Sequence, residues 1–196
     1  YGPGLFGWGR HQERWGYDFN GHALVTPGSP VLLVDPVAPT NDEFAALTGL
    51  GDHFEVVLLN ADHERSAADL STRLGAPVWC PADDCDLLDL DGARPYRAGH
   101  SFAGGWQSVG LADHKTAGET ALYHAERRVL VIGDAVIGDP VTGLRFVPPA
   151  KIPDRGKAIA ALRPLLDLDF DALLLSDGFC LPQGGKVALG SFIKNG

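Results

Sequence analysis

Methionine is absent from all 196 residues, and cysteine occurs only three times. A chain with no Met does not mark its own beginning, so Tyr1 is not expected to be the native start, and a leader ahead of it stays open. No apolar run approaches the roughly 20 residues of a membrane span, and no signal-peptide pattern opens the chain. Basic residues are also scarce: 16 Lys and Arg stand against 25 Asp and Glu, a formal net charge of −9. That balance gives no electrostatic reason to bind nucleic acid or an anionic membrane. Two catalytic signatures are missing too. There is no G-x-S-x-G elbow for a nucleophilic serine, and no Gly-rich phosphate loop follows a strand. Cys80, Cys85 and Cys180 are odd in number and form no dense framework, which points to reduced thiols in a cytoplasm. The Cys80/Cys85 spacing lacks the second pair that a four-ligand zinc site needs, so all three read as ordinary thiols.

What remains is the composition of a soluble globular protein, 45% hydrophobic and 21% charged, of a length that suits one domain over 1–196. Its organising stretch is FEVVLLNADHERSAADLSTRL, residues 54–74. Phe54 to Leu59 reads as a buried strand, and Ala67, Leu70 and Leu74 recur at helical spacing. Between them lies a polar knot of Asn60, Asp62, His63, Glu64 and Arg65, in which Asp62 is placed to cap the helix. Asp134 after VLVIG, Asp177 after ALLLS, and His114 shortly after WQSVGL repeat the pattern of a polar residue following an apolar run. Residues just beyond strand carboxyl ends gather along one edge of a sheet covered by helices. One pocket built from Asn60, Asp62, His63, His114, Asp134 and Asp177 is therefore expected.

Before that stretch, the Gly- and aromatic-rich first twenty residues form an irregular hairpin, lying either over the pocket mouth or along a sheet edge. HALVT (22–26) and VLLVDP (31–36) flank a Pro/Gly turn, and Asp42 to Leu50 suits a short helix with Phe44, Ala45 and Leu47 inward. After it, APVWC (76–80) is a strand, and residues 81–99 are a loop-rich passage whose five aspartates read as a solvated rim. WQSVGL, ETALYH (119–124), RVLVIG (128–133) and DALLLS (171–176) are further strands. Residues 138–154 hold four prolines with Arg145, Phe146 and Lys151, a structureless lid or binding loop. Asp154 caps the next helix, Pro164 ends it early, and GGKVALGSFI closes the chain as a short helix. Two comparable halves, about 1–97 and 98–196, packed sheet to sheet would give an α/β four-layer αββα sandwich.

In this order of motifs the chain, from about Asn20 to its end, resembles the metallo-β-lactamase-fold superfamily. NGHALVTPGSPVLLVDP looks like that family's opening hairpin, which ends in an Asp. HKTAGE looks like its HTPG segment, with His114 at the ligand histidine, and VIGDAVIG like its GD segment, with Asp134 at the carboxylate that bridges two metals. LLLSDG sits where the family places a final His before Gly; here it is Asp177. The HxHxDH signature is represented only by NADHER. One register equates Asp62 and His63 with the family's Asp–His pair and leaves Asn60 in a histidine's place; it keeps the following helix ungapped and is preferred. The other puts Arg65 at the last histidine.

The resemblance implies metal ligands among Asp62, His63, His114, Asp134 and Asp177, and the depletion of its signature leads to the expectation of at most one divalent cation (Zn, Fe or Mn), held mainly by His114 and Asp134 with Asp62 or His63, or none. Arg65 turned inward would supply a fixed charge in a metal's stead. Catalysis would fall to Asp62, His63, His114 and Asp134, and substrate binding to Asn60, Arg65, Arg145 and Lys151. The expected activity is hydrolysis of an ester, thioester, lactone or similar bond in a small organic substrate. The alternatives are metal-free acid–base catalysis and a metal-free member acting as a binding module or non-catalytic subunit. The apolar N-terminus leads to the expectation of a homo- or hetero-oligomer.

Overall fold

The computed structural model describes residues 1–195. The N-terminal aromatics pair as a regular antiparallel hairpin, β1 (Leu5–Gln12) and β2 (Tyr17–Leu24), which continues into β3 (Val31–Val34). Both expectations for this hairpin meet here, since β1 forms the sheet edge while residues near the hairpin tip reach the cavity described below. Short apolar runs that must be buried on both faces favour parallel pairing with helical crossovers. β3, β4 (Phe54–Val57), β5 (Val78–Pro81) and β6 (Arg94–Tyr96) are parallel in this way and complete a six-stranded sheet in the order β1-β2-β3-β4-β5-β6. Within the loop-rich passage 81–99, Arg94–Tyr96 pairs with β5, and the Tyr96 hydroxyl donates to the Leu58 carbonyl at 2.7 Å.

The second sheet runs β12-β9-β8-β7, with β7 (Gln107–Gly110), β8 (Thr120–His124) and β9 (Val129–Ile132) antiparallel and β12 (Ala172–Leu175) parallel to β9. The two sheets share one core, in which Leu32, Val57 and Leu59 of the first meet Trp106, Leu122, Val131 and Leu174 of the second. α1 (Asn41–Thr48) and α2 (Ala67–Leu74) cover the outer face of the first sheet through Leu47, Ala67 and Leu70. α3 (Arg155–Leu162) and α4 (Gly185–Asn195) cover the second through Ile159, Leu162, Leu189 and Ile193. The result is the α/β four-layer arrangement implied by the motif order.

Local chemistry explains the helix limits. Thr40 and Glu43 form a capping box on α1, and Asp154 Oδ1 accepts from the Lys157 amide at 3.0 Å to start α3. Pro164 falls in a 3₁₀ turn that ends α3. Three expectations need correction. Ala45 is exposed rather than inward. Asp62 does not cap α2; it lies in a separate 3₁₀ turn, Ala61–His63, and Ser66 takes the N-cap position. Residues 138–154 are not structureless, because β10 (Ile137–Asp139) and β11 (Gly143–Arg145) pair as a small hairpin.

The cysteine reading also changes. Cys80 and Cys85 form a disulfide across Cα atoms 5.6 Å apart, and Cys180 alone is a free, buried thiol. The argument for a reducing cytoplasm therefore does not hold for that pair. No helix among the described residues is long and apolar enough to cross a membrane.

At one edge the sheets are joined through β2 and the end of β12. Asn20 N donates to the Ser176 carbonyl at 2.8 Å, its side chain donates to the Leu175 carbonyl at 2.9 Å, and His22 Nε2 lies 3.1 Å from the same carbonyl. A carbonyl only accepts, so Nε2 carries the proton of a neutral ring. Burial lowers the His22 pKa to about 4, against a smaller opposing effect of the Leu175 hydrogen bond. The unfolded chain takes up this proton near pH 6.5, and the folded one only near 4. Stability is thus expected to fall between pH 6.5 and 4 by on the order of 3 kcal/mol from this residue. Urea unfolding across that window should show the acid slope flattened in His22→Gln; an unchanged slope would assign it elsewhere.

Candidate active site

The strand carboxyl ends converge as expected, and four of them feed one polar centre. β3 ends in Asp35, fully buried at φ 46°, a conformation that Asp tolerates better than most residues. Its Oδ1 accepts from the Leu59 amide at 2.8 Å, and its Oδ2 accepts from the Ser176 hydroxyl at 2.6 Å and from His63 Nδ1 at 2.7 Å. His63 is thereby held rigidly, and its Nε2 faces Asp134 Oδ1 at 3.4 Å without an aligned hydrogen bond. One donor atom each from His63, Asp134 and Asp177 lie within 4.8 Å of one another, and all three residues are buried.

Two cations are set among these carboxylates. Arg65 Nη2 donates to Asp177 Oδ1 at 2.6 Å, its Nη1 approaches the Asn20 and Ser176 carbonyls at 3.2 Å each, and its guanidinium lies 4.4 Å over the Phe19 ring. Its φ of 38° is unusual for a long side chain and is held by those contacts. Lys115 Nζ donates to Asp134 Oδ2 at 2.5 Å and also pairs with Asp62. Lys115 is not singled out by the sequence, where the neighbouring His114 is expected as a metal ligand.

His114 is the main correction. It is buried beside Phe146, ring centroids 6.4 Å apart, makes no well-aligned hydrogen bond, and does not line the central cavity. Asp113, at φ 58°, turns the backbone in the left-handed region just before it, so Lys115 rather than His114 is presented to the carboxylates. Asn60 is likewise turned away. It is buried and donates to Glu119 Oε2 at 3.0 Å, while Glu119 Oε1 accepts from the Asp134 amide at 2.9 Å. Asp62 sits half exposed on the cavity wall with Lys115. Arg145 pairs with Asp139 at 3.4 Å and lines a different cavity, whereas Lys151 lines this one.

One of the five aspartates expected on a solvated rim belongs to the interior. Asp84 is fully buried, and its carboxylate accepts from the Ala61 amide at 2.9 Å and the Gly118 amide at 2.7 Å. It joins the loop carrying His63 to the loop carrying Lys115. Gly118 fits this role by lacking a Cβ, which would meet Asp84 Cγ at 2.6 Å.

The electrostatics follow from this packing. Burial and Arg65 oppose a charge on His63, but Asp35 and Asp134 prevail and raise its pKa to about 10. Burial works against the Asp134 carboxylate as well, yet His63 and Lys115 hold it well below the usual range. Asp177 is pushed up to about 6, by burial first and with Asp134 adding to it, against His63 and Arg65. Glu119 is raised well above the carboxylate range by burial and by Asp134. The cavity in front of this centre is about 340 Å³. Trp15, Tyr17 and Phe19 form one wall and Val147, Pro148 and Ala150 another.

Removing the charge of Asp35 while keeping an amide that accepts its backbone conformation is expected to cost about 3–5 kcal/mol, because it leaves His63 charged beside a lost partner. Asp62→Asn, at the half-exposed end of the cluster, should cost about 1 kcal/mol or less. Urea denaturation of Asp35→Asn and Asp62→Asn compares them, and equal costs would contradict the burial argument.

A search of curated proteins gives no match. Among solved structures, TTHA1623 in a di-iron-bound form is 21% identical over 92% of this chain and 96% of that one, with a TM-score of 0.68. A metallo-β-lactamase from Hirschia baltica is 14% identical over 98% and 94%, TM-score 0.70. One from Pontibacter korlensis is 14% identical over 98% and 94%, TM-score 0.74. At such identities these structures speak to the fold alone. The family model described as the metallo-beta-lactamase superfamily matches residues 1–195, and this chain belongs to that superfamily.

Proposed function

We propose that the protein is a hydrolase for a small organic substrate with an ester, thioester, lactone or related bond, using at most one divalent cation. The observation that carries this reading is the buried triad of His63, Asp134 and Asp177, whose donor atoms lie within 4.8 Å of one another. His63 Nε2, buried and without a hydrogen-bond partner, is the atom that a cation would satisfy, taking the place of the proton that Asp35 and Asp134 hold on the ring. One imidazole and two carboxylates fit Zn, Fe or Mn, with oxygen-rich ligation favouring the harder of these. The di-iron-bound form of TTHA1623 supports keeping iron among them. A second cation does not fit, because the Lys115 ammonium already lies on Asp134 and Asp62, and like charges at close range are strongly repulsive in a buried site.

When bound, a cation at this triad would supply Lewis acidity and acidify a water. The chain's own groups do the rest. Asp35 takes the Nδ1 proton of His63 as a hydrogen bond and so directs Nε2 inward, as orienting carboxylates do in metal sites. Lys115 spends two of its three N–H donors on Asp134 and Asp62, which leaves the third for an oxygen that gains negative charge. Asp62, half exposed on the wall, is the carboxylate left to accept a proton. Lys151 at the mouth offers a charge to an anionic substituent, and the aromatic wall of Trp15, Tyr17 and Phe19 shields apolar parts from water.

Elemental analysis of protein purified without chelator is expected to give up to one equivalent of metal, with chelation abolishing turnover of an activated ester or thioester. Two equivalents would refute the argument from Lys115. No metal with full activity would transfer the chemistry to the His63–Asp35 dyad, a reading that the Lys115–Asp134 pair favours. An inactive, metal-free protein would point to a binding or subunit role. Lys115→Ala is expected to lower kcat by about 10²–10³, the usual loss for a donor to a developing oxyanion.

A further inference from the structure

A second cavity, of about 530 Å³, lies between the β10–β11 hairpin and α4. Its body is apolar: Leu144, Phe146, Val147 and Phe192 line it, with the two Phe rings packed edge to face at 4.8 Å. Its charged lining residues are Arg145 and Arg155, and among the described residues none of the groups lining it is Asp or Glu. In a chain of net charge −9, a cavity lined only by cations among its charged groups selects for an anion. Arg145 is already paired with Asp139 at 3.4 Å. Arg155 lies 5.5 Å over the Phe146 ring and makes no ion pair with any described carboxylate. The cavity is within the size range of small-molecule sites, where an apolar lining carries affinity and a few polar groups fix orientation.

A single strip of chain separates this cavity from the candidate active site. Phe146 and Pro149 face the outer cavity, Pro148, Ala150 and Lys151 face the inner one, and Val147 lines both. The amides of Lys151 and Ile152 close this strip into a 3₁₀ turn by donating to the Pro148 and Pro149 carbonyls at 2.8 and 3.2 Å.

We propose that the outer cavity is a separate binding site for an amphipathic organic carboxylate, its apolar body on Phe146 and Phe192 and its head on the Arg155 guanidinium. Occupancy of that site steadies the shared wall and with it Lys151 at the mouth of the inner cavity. The site is independent of any metal and of the hydrolytic reading, because none of its lining residues belongs to the His63, Asp134 and Asp177 cluster.

Titration calorimetry with decanoate, below its micelle concentration, tests the site. Saturable binding of one equivalent is expected, weakened about tenfold or more in Arg155→Gln by loss of a charge-assisted contact, and unchanged in Lys151→Gln. Decanol at the same concentration should bind at least tenfold more weakly. No saturable binding, or binding lost in Lys151→Gln and kept in Arg155→Gln, would overturn the assignment. Hydrogen exchange reads the coupling: decanoate should slow the Lys151 and Ile152 amides in the wild-type protein, and unaltered exchange at both would refute the shared-wall argument.

Discussion

The Asp35 carboxylate, sealed from water, holds partners on three separate pieces of chain: the Leu59 amide, the His63 ring and the Ser176 hydroxyl. A buried carboxylate with fewer partners would carry a large desolvation penalty. With these three it instead fixes the ends of β3, β4 and β12 relative to one another, and so registers the first sheet on the second. The same contacts aim His63 at Asp134, so fold and site share one constraint. From there the charges alternate outward. His63 stands between Asp35 and Asp134, Lys115 between Asp134 and Asp62, and Arg65 on Asp177.

That alternation bears on the depleted metal signature. A pocket rich in carboxylates must be balanced by cations from some source. In this chain much of the balance is covalent, since Lys115 and Arg65 place their charge permanently where no ion has to be recruited. A side-chain ammonium cannot acidify a water as a dication does, but it can donate directed hydrogen bonds to a substrate oxygen. The site therefore combines a triad able to take one cation with two fixed charges. This is the physical reason the proposed function stops at one cation.

Much of this was legible in the sequence because it follows from periodicity. Apolar runs of four to six residues ending in Asn60, Asp134 and Asp177 read as buried strands, and the carboxyl ends of such strands do gather at one edge. The errors concern side-chain direction, which periodicity does not encode inside a turn. His114 and Lys115 are neighbours in HKTAGE, and only their contacts, Lys115 on Asp134 and His114 beside Phe146, show which of them faces the carboxylates. Asn60 ends a strand as expected, yet its amide is drawn to Glu119, a residue distant in sequence. Arg65 offered itself in the sequence only as one option, an inward cation in a metal's stead, and in the fold it pairs with Asp177.

Asp84 shows the same limit from another side. Within PADDCDLLDLD it reads as one acid of a solvated run, and nothing local sets it apart. It lies in the short connection after β5 that the Cys80–Cys85 disulfide closes, and it is fully buried there. A carboxylate held there meets two outward-pointing amides, Ala61 and Gly118, that no strand or helix satisfies. Buried amides without partners are costly, so the loops bearing His63 and Lys115 depend on this acceptor. The disulfide loop is thus the third support of the site, beside the Asp35 contacts and the Glu119 hydrogen bonds behind Asn60 and Asp134. Each support acts on backbone amides or on the back of a functional side chain, which leaves the faces of His63, Lys115 and Asp177 to the cavity.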